Sequence, residues 1–545
     1  MSEIQVRSMM AKVSTRYLIL GVIIALSLIG GVIAVYTTTN GPWGYTDPVE
    51  YISVARSLDR GQGLAYYEGN GQLTPETIHP PFYSLVLSFI GLFGANLVAA
   101  SRWLNIVAFV ASIFIAGWIF YRYSPAPALG IIASALMCIF PYMVVMFSSA
   151  YSEPLFVLSI LAGGWALLAY LQRQKWSFLI ISALVVSTIP GTRYAGIAMI
   201  LAAGLTVFFF ASGGTWLRIK KAALFSLIAG LPVLIWLVWV YLSSAHSVGG
   251  RSTGIEMAGI LAHFQAFRGI FMDTVWKWVP FQSHETLLGY RLRFVLMGVI
   301  AVVLLGLSIL AERRVKKLAV ERPGNSGIKI FAFFGLSSLI FLATLILTYL
   351  FTLPTIDIDN RMLLPLYVCS VMMIYAAFAV WQAAWFKGRL RVLQAIPWIV
   401  AALCVVWYIP QTRNQVQLYH PGDGLTMYYW NSSSLIQAVR DLPPDQPVIS
   451  NDWELTMLWT GRPIYGFWTT FSSEPPLQKT PYGTDQNDKL QTLFCAQGAA
   501  LVIYNDFPTQ VRGQLGEIAL GQMPGLFTGL TIHGSYPDGT IYLCP

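Results

Sequence analysis

Few residues in this sequence could do chemistry, because charged residues make up only 11% of the chain. Asp47 and Glu50 stand one turn apart in "YTDPVEYISVARSLDRGQGL" (45–64), followed by Tyr51, Arg56 and Arg60. His79 precedes a Pro-Pro pair, and Arg102 opens an apolar run. Glu153 opens another in "AYSEPLF", and Arg193 sits in "PGTRY". Asp357, Asp359 and Arg361 fall in "TIDIDNRMLLP". An ionisable group at the centre of a membrane span costs about 2.5–3.5 kcal/mol, so each is a site hypothesis by default. Taken singly, each is accounted for by a side chain snorkelling to the interface. Taken together they supply carboxylates, a histidine and arginines at the starts of apolar runs, several beside proline or glycine breaks. That set suits an enzyme acting on a membrane-bound substrate. A transporter would place charges near the midplane, on discontinuous helices in paired halves. No duplicated halves are visible in the sequence.

The elements that must position these residues are membrane helices. The chain is 56% hydrophobic with mean hydropathy +0.61, whereas a soluble domain is about half apolar and about a quarter charged. Apolar runs fall near 17–36, 102–122, 127–148, 153–171, 176–190, 194–211, 222–243, 292–311, 329–351, 361–384 and 393–410. The first is long enough to span and carries no cleavage site, so it is expected to stay. The run 80–94 is shorter than the roughly twenty residues a span needs. If it stays outside, the basic groups at 7–16, 122, 173–175, 218–221, 311–323 and 387–391 all face the cytoplasm. The net charge of +9 then follows the positive-inside pattern, and nucleic acid is not expected as a partner. The sequence thus predicts a multi-pass protein of the plasma membrane with about eleven spans, a cytoplasmic N-terminus and an extracytoplasmic C-terminus. Residues 37–101 form the first outer loop, with juxtamembrane helices. The runs flanking Arg193 are short, which predicts a sunken turn opening on an outward cavity. In the long outer loop 244–291, Arg251 and His263 could help cover a lipid substrate, while Trp276 and Trp278 read best as interfacial anchors.

Residues 1–410 are therefore expected to form a transmembrane domain and 411–545 a soluble extracytoplasmic α/β domain. In the latter, "QPVISND" (446–452), "AALVIYND" (499–506) and "GTIYLC" (539–544) read as strands, and "SSSLIQAVRDL" (432–442) as a serine-capped helix. A structural or substrate-presenting lid is its expected role. Cys138, Cys369 and Cys404 lie in apolar runs and read as core. Cys495 and Cys544 are disulfide candidates in an oxidising compartment. Asp357 and Asp359 beside Asn360 are a weak cation signal, and neither a metal nor a cofactor is expected.

In the order of its motifs the chain resembles the GT-C membrane glycosyltransferases, in the branch of protein O-mannosyltransferases and lipid A aminoarabinose transferases. One span is followed by "TDPVEYISVARSLDRGQGL", similar to that family's Asp-x-x-x-Tyr-x-x-x-Ala pattern. "HPPFYSLVLSFIGLFG" is similar to its His/Lys-Pro-Pro segment, and "SRWLNIVAFVASIFI" and "FSSAYSEPLFVLSI" to its next helices. "GTRYAGIAMI" and "NRMLLPLYV" resemble its Arg-bearing helix starts. The likeness covers most of 15–410. It implies transfer of a sugar from a polyprenyl-phosphate donor to an acceptor hydroxyl (of protein, lipid or glycan) on the outer face, with inversion. It implies Asp47 as catalytic base. Many relatives carry adjacent Asp-Glu, whereas here Pro48 and Val49 separate Asp47 from Glu50, which leaves Glu50 a substrate contact or a solvated group. The leaving phosphate needs pre-placed cations, and Arg193 and Arg361 are the candidates. His79 is a further phosphate candidate, Glu153 orients an arginine or the sugar or pairs with Arg102, and Tyr51 packs or binds substrate. Arg56 and Arg60 are expected to meet solvent or headgroups. The competing readings are a flippase of lipid-linked sugars and a non-catalytic membrane scaffold.

Overall fold

The structure is a computed structural model. It describes residues 3–243, 252–253, 260–280, 290–317, 327–353, 357–386, 388–467, 498–515, 517, 527 and 529–544. In chain order the elements begin with α1 (Glu3–Thr37), α2 (Thr46–Asp59), β1 (Ala65–Tyr67), β2 (Leu73–Pro75) and α3 (Phe82–Gly91). Then come α4 (Leu97–Tyr123), α5 (Leu129–Ile139), α6 (Pro141–Phe147), α7 (Glu153–Arg173), α8 (Trp176–Thr192), α9 (Ile197–Phe210) and α10 (Thr215–Ser243). They are followed by β3 (Ser252–Thr253), α11 (Ile260–Trp276), α12 (Tyr290–Lys317), α13 (Gly327–Phe351), β4 (Thr352–Leu353), α14 (Asn360–Ala384) and α15 (Ile396–Tyr419). The C-terminal part holds α16 (Tyr429–Ser432), α17 (Ser434–Asp441), β5 (Val448–Ser450), α18 (Trp453–Thr460), β6 (Tyr465–Gly466), β7 (Ala500–Tyr504), β8 (Thr531–Tyr536) and β9 (Gly539–Leu543).

These elements form two compact units, one of residues 1–38, 77–83 and 102–420, the other of 39–76, 84–101 and 421–545. The sequence-based boundary at 410 differs from this division in two ways. The helix α15 runs on to Tyr419, ahead of Pro421 and Gly422, where a chain break is cheap. Most of the first outer loop groups with the C-terminal unit.

In the first unit the apolar runs expected to span are helical, the run 127–148 in two pieces. Among the described residues seven helices have the length and hydropathy of membrane spans, those at 14–37, 97–123, 153–173, 215–243, 327–351, 360–384 and 389–419, and the bent pair α5–α6 makes an eighth if it is counted as one span. The chain is a multi-pass α-helical membrane protein. The run 127–148 is not one straight span, because α5 and α6 meet at 64°. Phe140 is extended there and Pro141 opens α6. Proline has no amide to give the preceding turn, so the break is local chemistry. The Thr412 hydroxyl donates to the Ile139 carbonyl at 2.6 Å and satisfies one group the break frees. The helices α8 and α9 fall below span length, as their runs predicted, and α3 does too, at ten residues. Small residues let the bundle close: a Cβ on Gly164 of α7 would lie 2.9 Å from the rings of Phe333 and Phe334 on α13.

In the second unit β6-β5-β7-β9-β8 form one sheet. Strand β5 pairs in parallel with β6 and β7, while β9 pairs antiparallel with β7 and β8. The expected strands and helix appear as β5, β7, β9 and α17. Ile449, Phe467, Leu501, Phe507 and Val511 form the core under the sheet. Cys544 is disulfide-bonded, and Cys495 lies outside the described residues. The segment before α2 is stitched into this unit. The Leu425 amide donates to the Gly44 carbonyl at 2.7 Å, and Gly424 has φ +79°, with a Cβ there only 2.2 Å from that same oxygen. No residue but glycine fits.

Candidate functional site

In the first unit the candidate residues meet on Glu153, whose side chain is 2% exposed. It lies in the first turn of α7, where the helix dipole favours a carboxylate. Its Oε1 accepts from Arg193 Nη1 at 2.5 Å and from Arg361 Nε. Arg193 is placed by a break: α8 ends at Thr192, Arg193 is extended, and a 3-10 turn (Tyr194–Gly196) leads into α9. Gly196 permits that turn, since a Cβ there would lie 2.7 Å from the backbone of Ile189 and Pro190. Arg361 opens α14, whose N-cap Asp359 accepts from the Met362 amide at 2.8 Å. The Arg361 guanidinium also stacks over Tyr151 at 4.1 Å.

The loop before Glu153 is fixed by a residue that sequence reasoning missed. Asn105 of α4 is fully buried. Its amide donates to the carbonyls of Ser149 at 2.7 Å and Tyr151 at 2.9 Å. Tyr83 donates to the Ala150 carbonyl at 3.1 Å. An asparagine inside an apolar run was the available signal. Glu153 therefore has Arg193 and Arg361 as ion-pair partners. Arg102, weighed as its partner, donates to the Thr38 hydroxyl at 2.8 Å and the Val35 carbonyl at 3.1 Å, at the end of α1. His79 is half-buried in the bend before α3. Asp357 is exposed, and Asp359 serves as a cap. Trp278 is half-buried. Its indole donates to Asn360 Oδ1 at 3.1 Å, and its ring packs edge-on against Phe140 and Tyr367, beside the start of α14. His263 is half-buried on α11, and Arg251 lies outside the described residues.

In the second unit Asp47 is half-buried in the first turn of α2, again at the end that favours negative charge. Tyr51 is 1% exposed and packs in the core. Glu50 and Glu76 bring carboxylate oxygens within 4.8 Å of each other. They and Glu68 act with burial to raise the Tyr66 phenol. Arg56 is half-buried, whereas Arg60 is exposed, as expected. They donate to the carbonyls of Met457 at 3.2 Å and Gly461 at 3.1 Å. Burial, then Arg60 and Arg440, hold the Arg56 guanidinium down to about 10. The Thr46 hydroxyl donates to Glu454 Oε2 at 3.1 Å. Sequence reasoning passed over Glu454. The signal was present in Asp452 ahead of "WELTMLWT" and Gly461 after it, which mark a helix start and stop.

The first unit can thus hold an oxyanion with paired guanidiniums, and the second carries carboxylates in mutually repulsive surroundings, the setting of a proton acceptor. No family model matches the chain, and no characterised protein matches it by sequence. Among solved structures the chain is similar to ArnT from Cupriavidus metallidurans in the apo state, at 14% identity over 97% of this chain and 98% of that one, with TM-score 0.43. It is similar to the same protein bound to undecaprenyl phosphate, at 11% identity over 96% and 97%, with TM-score 0.41. It is also similar to the arabinofuranosyltransferase AftD from mycobacteria, at 14% identity and TM-score 0.45, covering 95% of this chain and 41% of that one.

Proposed function

We propose that this protein is a glycosyltransferase that moves a sugar from a polyprenyl-phosphate carrier to an acceptor hydroxyl on the outer face of the membrane. The observation that carries the reading is the gathering of Arg193 and Arg361, from separate helices, on the single buried carboxylate of Glu153. Arginines held side by side suit a phosphate that gains charge as it leaves, because their donors are in place before the reaction.

The reaction is a single displacement. The acceptor oxygen bonds to the anomeric carbon as the bond from that carbon to the phosphate oxygen breaks. The leaving phosphate keeps the electron pair, and Arg193 and Arg361 stabilise the charge. The acceptor proton passes to the carboxylate of Asp47, since a neutral hydroxyl is a weak nucleophile until its proton is drawn away. Attack opposite the leaving group inverts the anomeric centre. Glu153 acts through the arginines, and His79, Glu50 and Tyr51 are assigned no step. No metal or cofactor is needed for this displacement. The charge pattern supports a cytoplasmic N-terminus and an extracytoplasmic position for residues 421–545.

The bend between α5 and α6 is a feature that favours a transporter, since transporters use broken helices. Here the freed Ile139 carbonyl is bonded by Thr412, which gives the bend a structural cause. The test is to reconstitute the protein with polyprenyl-phosphate sugars and measure release of polyprenyl phosphate, with Asp47→Asn as control. Release that depends on Asp47 supports the reading. Passage of intact lipid-linked sugar across the vesicle, with none consumed, would replace it by the flippase.

A further inference from the structure

The helices α2 and α18 lie side by side and run the same way. Thr46, at the start of α2, meets Glu454 at the start of α18 at 3.1 Å. Ser53 and Arg56 meet Met457 in the middle, and Arg60 meets Gly461 at the end. Arginines fasten the C-terminal end of α18: Arg56 and Arg60 as above, and Arg440 of α17 through Nε and Nη2 to the Trp459 carbonyl at 3.1 and 2.7 Å. Cations at that end complement the helix dipole. At the other end Asp452 caps the helix by accepting from the Leu455 amide at 3.2 Å. From the first turn of α18 the Glu454 carboxylate reaches the turn carrying Asp47.

We propose that Glu454 is a positioning residue of that turn: it holds Thr46 through its carboxyl, and its charge state sets how strongly Asp47 draws a proton. The proposal rests on the reading of Asp47 as the base. The groups that face Glu454 are Asp452 on its own helix and Thr46, Asp47 and Glu50 on α2. Asp506 stands beyond Asp452, and Arg56, Arg60 and Arg440 sit at the far end of α18. Burial raises the Glu454 carboxyl to about 7, the Thr46 hydroxyl pulls it back, and Asp452, Glu50 and Asp47 push it up. Coupling is mutual: if the charge of Asp47 hinders ionisation of Glu454, an ionised Glu454 makes Asp47 more basic. Near neutral pH this residue therefore changes from a neutral partner to a second negative charge beside the base. The C-terminal part of the chain then tunes the reaction and is more than a lid.

The experiment uses the full chain in lipid nanodiscs and has an optical arm and a kinetic arm. Infrared difference spectra between about pH 6 and pH 8 should show loss of a carboxyl C=O band that is absent in Glu454→Gln. In Asp47→Asn the same band should titrate at lower pH. A band whose titration ignores Asp47→Asn overturns the proposal. In the kinetic arm, kcat/KM of the unmodified protein should gain about threefold as pH rises through neutrality, the modest response expected of a general base made more basic. Glu454→Gln should flatten that rise. Thr46→Val, which keeps the carboxyl and removes its donor, should move the rise to higher pH, and it serves also if Glu454→Gln fails to fold. An equal loss at every pH would mark Glu454 as merely structural and overturn the proposal. A coupled band without turnover from any polyprenyl-phosphate sugar would support the coupling and overturn only the proposed function.

Discussion

The two units organise their charged residues in opposite ways. In the first, one buried carboxylate, Glu153, gathers two arginines. In the second, Asp47, Glu50, Asp452 and Glu454 crowd together with their charges unfavourable to one another. The difference follows from what each set is asked to hold. Opposite charges at close range pin side chains and keep them ionised, which suits residues that must stay cationic for a leaving phosphate. Like charges at close range raise proton affinity, which suits a residue that must accept a proton. On this view Glu153 serves geometry and Glu454 serves acidity, although both are glutamates in the first turn of a helix.

The comparison is broken most directly at Asp47. Asp47→Asn keeps the size of the side chain and removes its basicity. Turnover should fall about 10²–10⁴-fold, the usual worth of a general base, while polyprenyl phosphate still binds. Steady-state rates with a tritiated donor and a separate binding isotherm check both halves. Weakened binding with an unaltered rate would move Asp47 out of the reaction and into substrate contact. On the arginine side, Arg361→Gln should lower kcat about 10²–10³-fold, as loss of one charge-stabilising donor does. Here binding of polyprenyl phosphate should weaken as well. Arg361→Lys should rescue little, because an ammonium lacks the planar fork that meets Glu153 and a phosphate together. Full rescue by lysine would show that only net charge matters.

A smaller effect is expected one layer out. Asn105→Ala removes the donor that holds the Ser149 and Tyr151 carbonyls. Leaving buried carbonyls without that donor should cost about 1–3 kcal/mol of stability, read as a lower thermal midpoint. The loop it releases carries Glu153, so donor binding should weaken with it, whereas Asn105→Asp should bind no better than alanine because a carboxylate offers those carbonyls no hydrogen bond. Normal donor binding in Asn105→Ala at a lowered midpoint would separate the loop from the arginine pair.

How much of this was legible in the sequence depended on whether the signal was local. The apolar runs could be read because a span must be long and greasy wherever it packs. The shortness of α8 and α9 around Arg193 could be read for the same reason. The bend at Phe140–Pro141 was written in a proline, but a run of unbroken hydropathy hid it. Strands β5 and β7 are buried and apolar and were found. Strand β8 is largely exposed, with a glycine and polar residues through "TIHGSY", and nothing in its pattern marks a strand. The candidate residues were visible singly as charges at helix starts. Their partners were not, because Glu153 and Arg361 lie 208 positions apart and Thr46 and Glu454 lie 408 apart. Arg56 was misread as solvated for this reason: a guanidinium that caps a distant helix looks, in sequence, like one that meets water.

The crowding of carboxylates also has a cost in stability, and its sign sharpens the comparison. Glu454 is raised from 4.5 to about 7 and Asp452 from 3.8 to about 6, each chiefly by burial. Between its ordinary value and its raised one, such a group binds more protons folded than unfolded. Stability therefore falls as pH rises through that window, from about 4 to about 7 for the pair. Glu454→Gln should remove the part of the slope nearest neutrality and leave the part below about 6 to Asp452. Asp452→Asn, which still caps a helix, should remove that remainder. The gain at neutral pH should be about 1 kcal/mol for Glu454→Gln, discounted for the solvent that reaches a half-buried side chain. Thermal midpoints of the full chain across this pH range give the measurement, with hydrogen exchange at β5 and α18 to assign the transition to their unit. Glu153, the ion-pair partner of Arg193 and Arg361, is the control: Glu153→Gln should leave in place the slope that Glu454→Gln removes. If Glu454→Gln and Glu153→Gln shifted the same limb in the same direction, the contrast between the two sets of charges would fail.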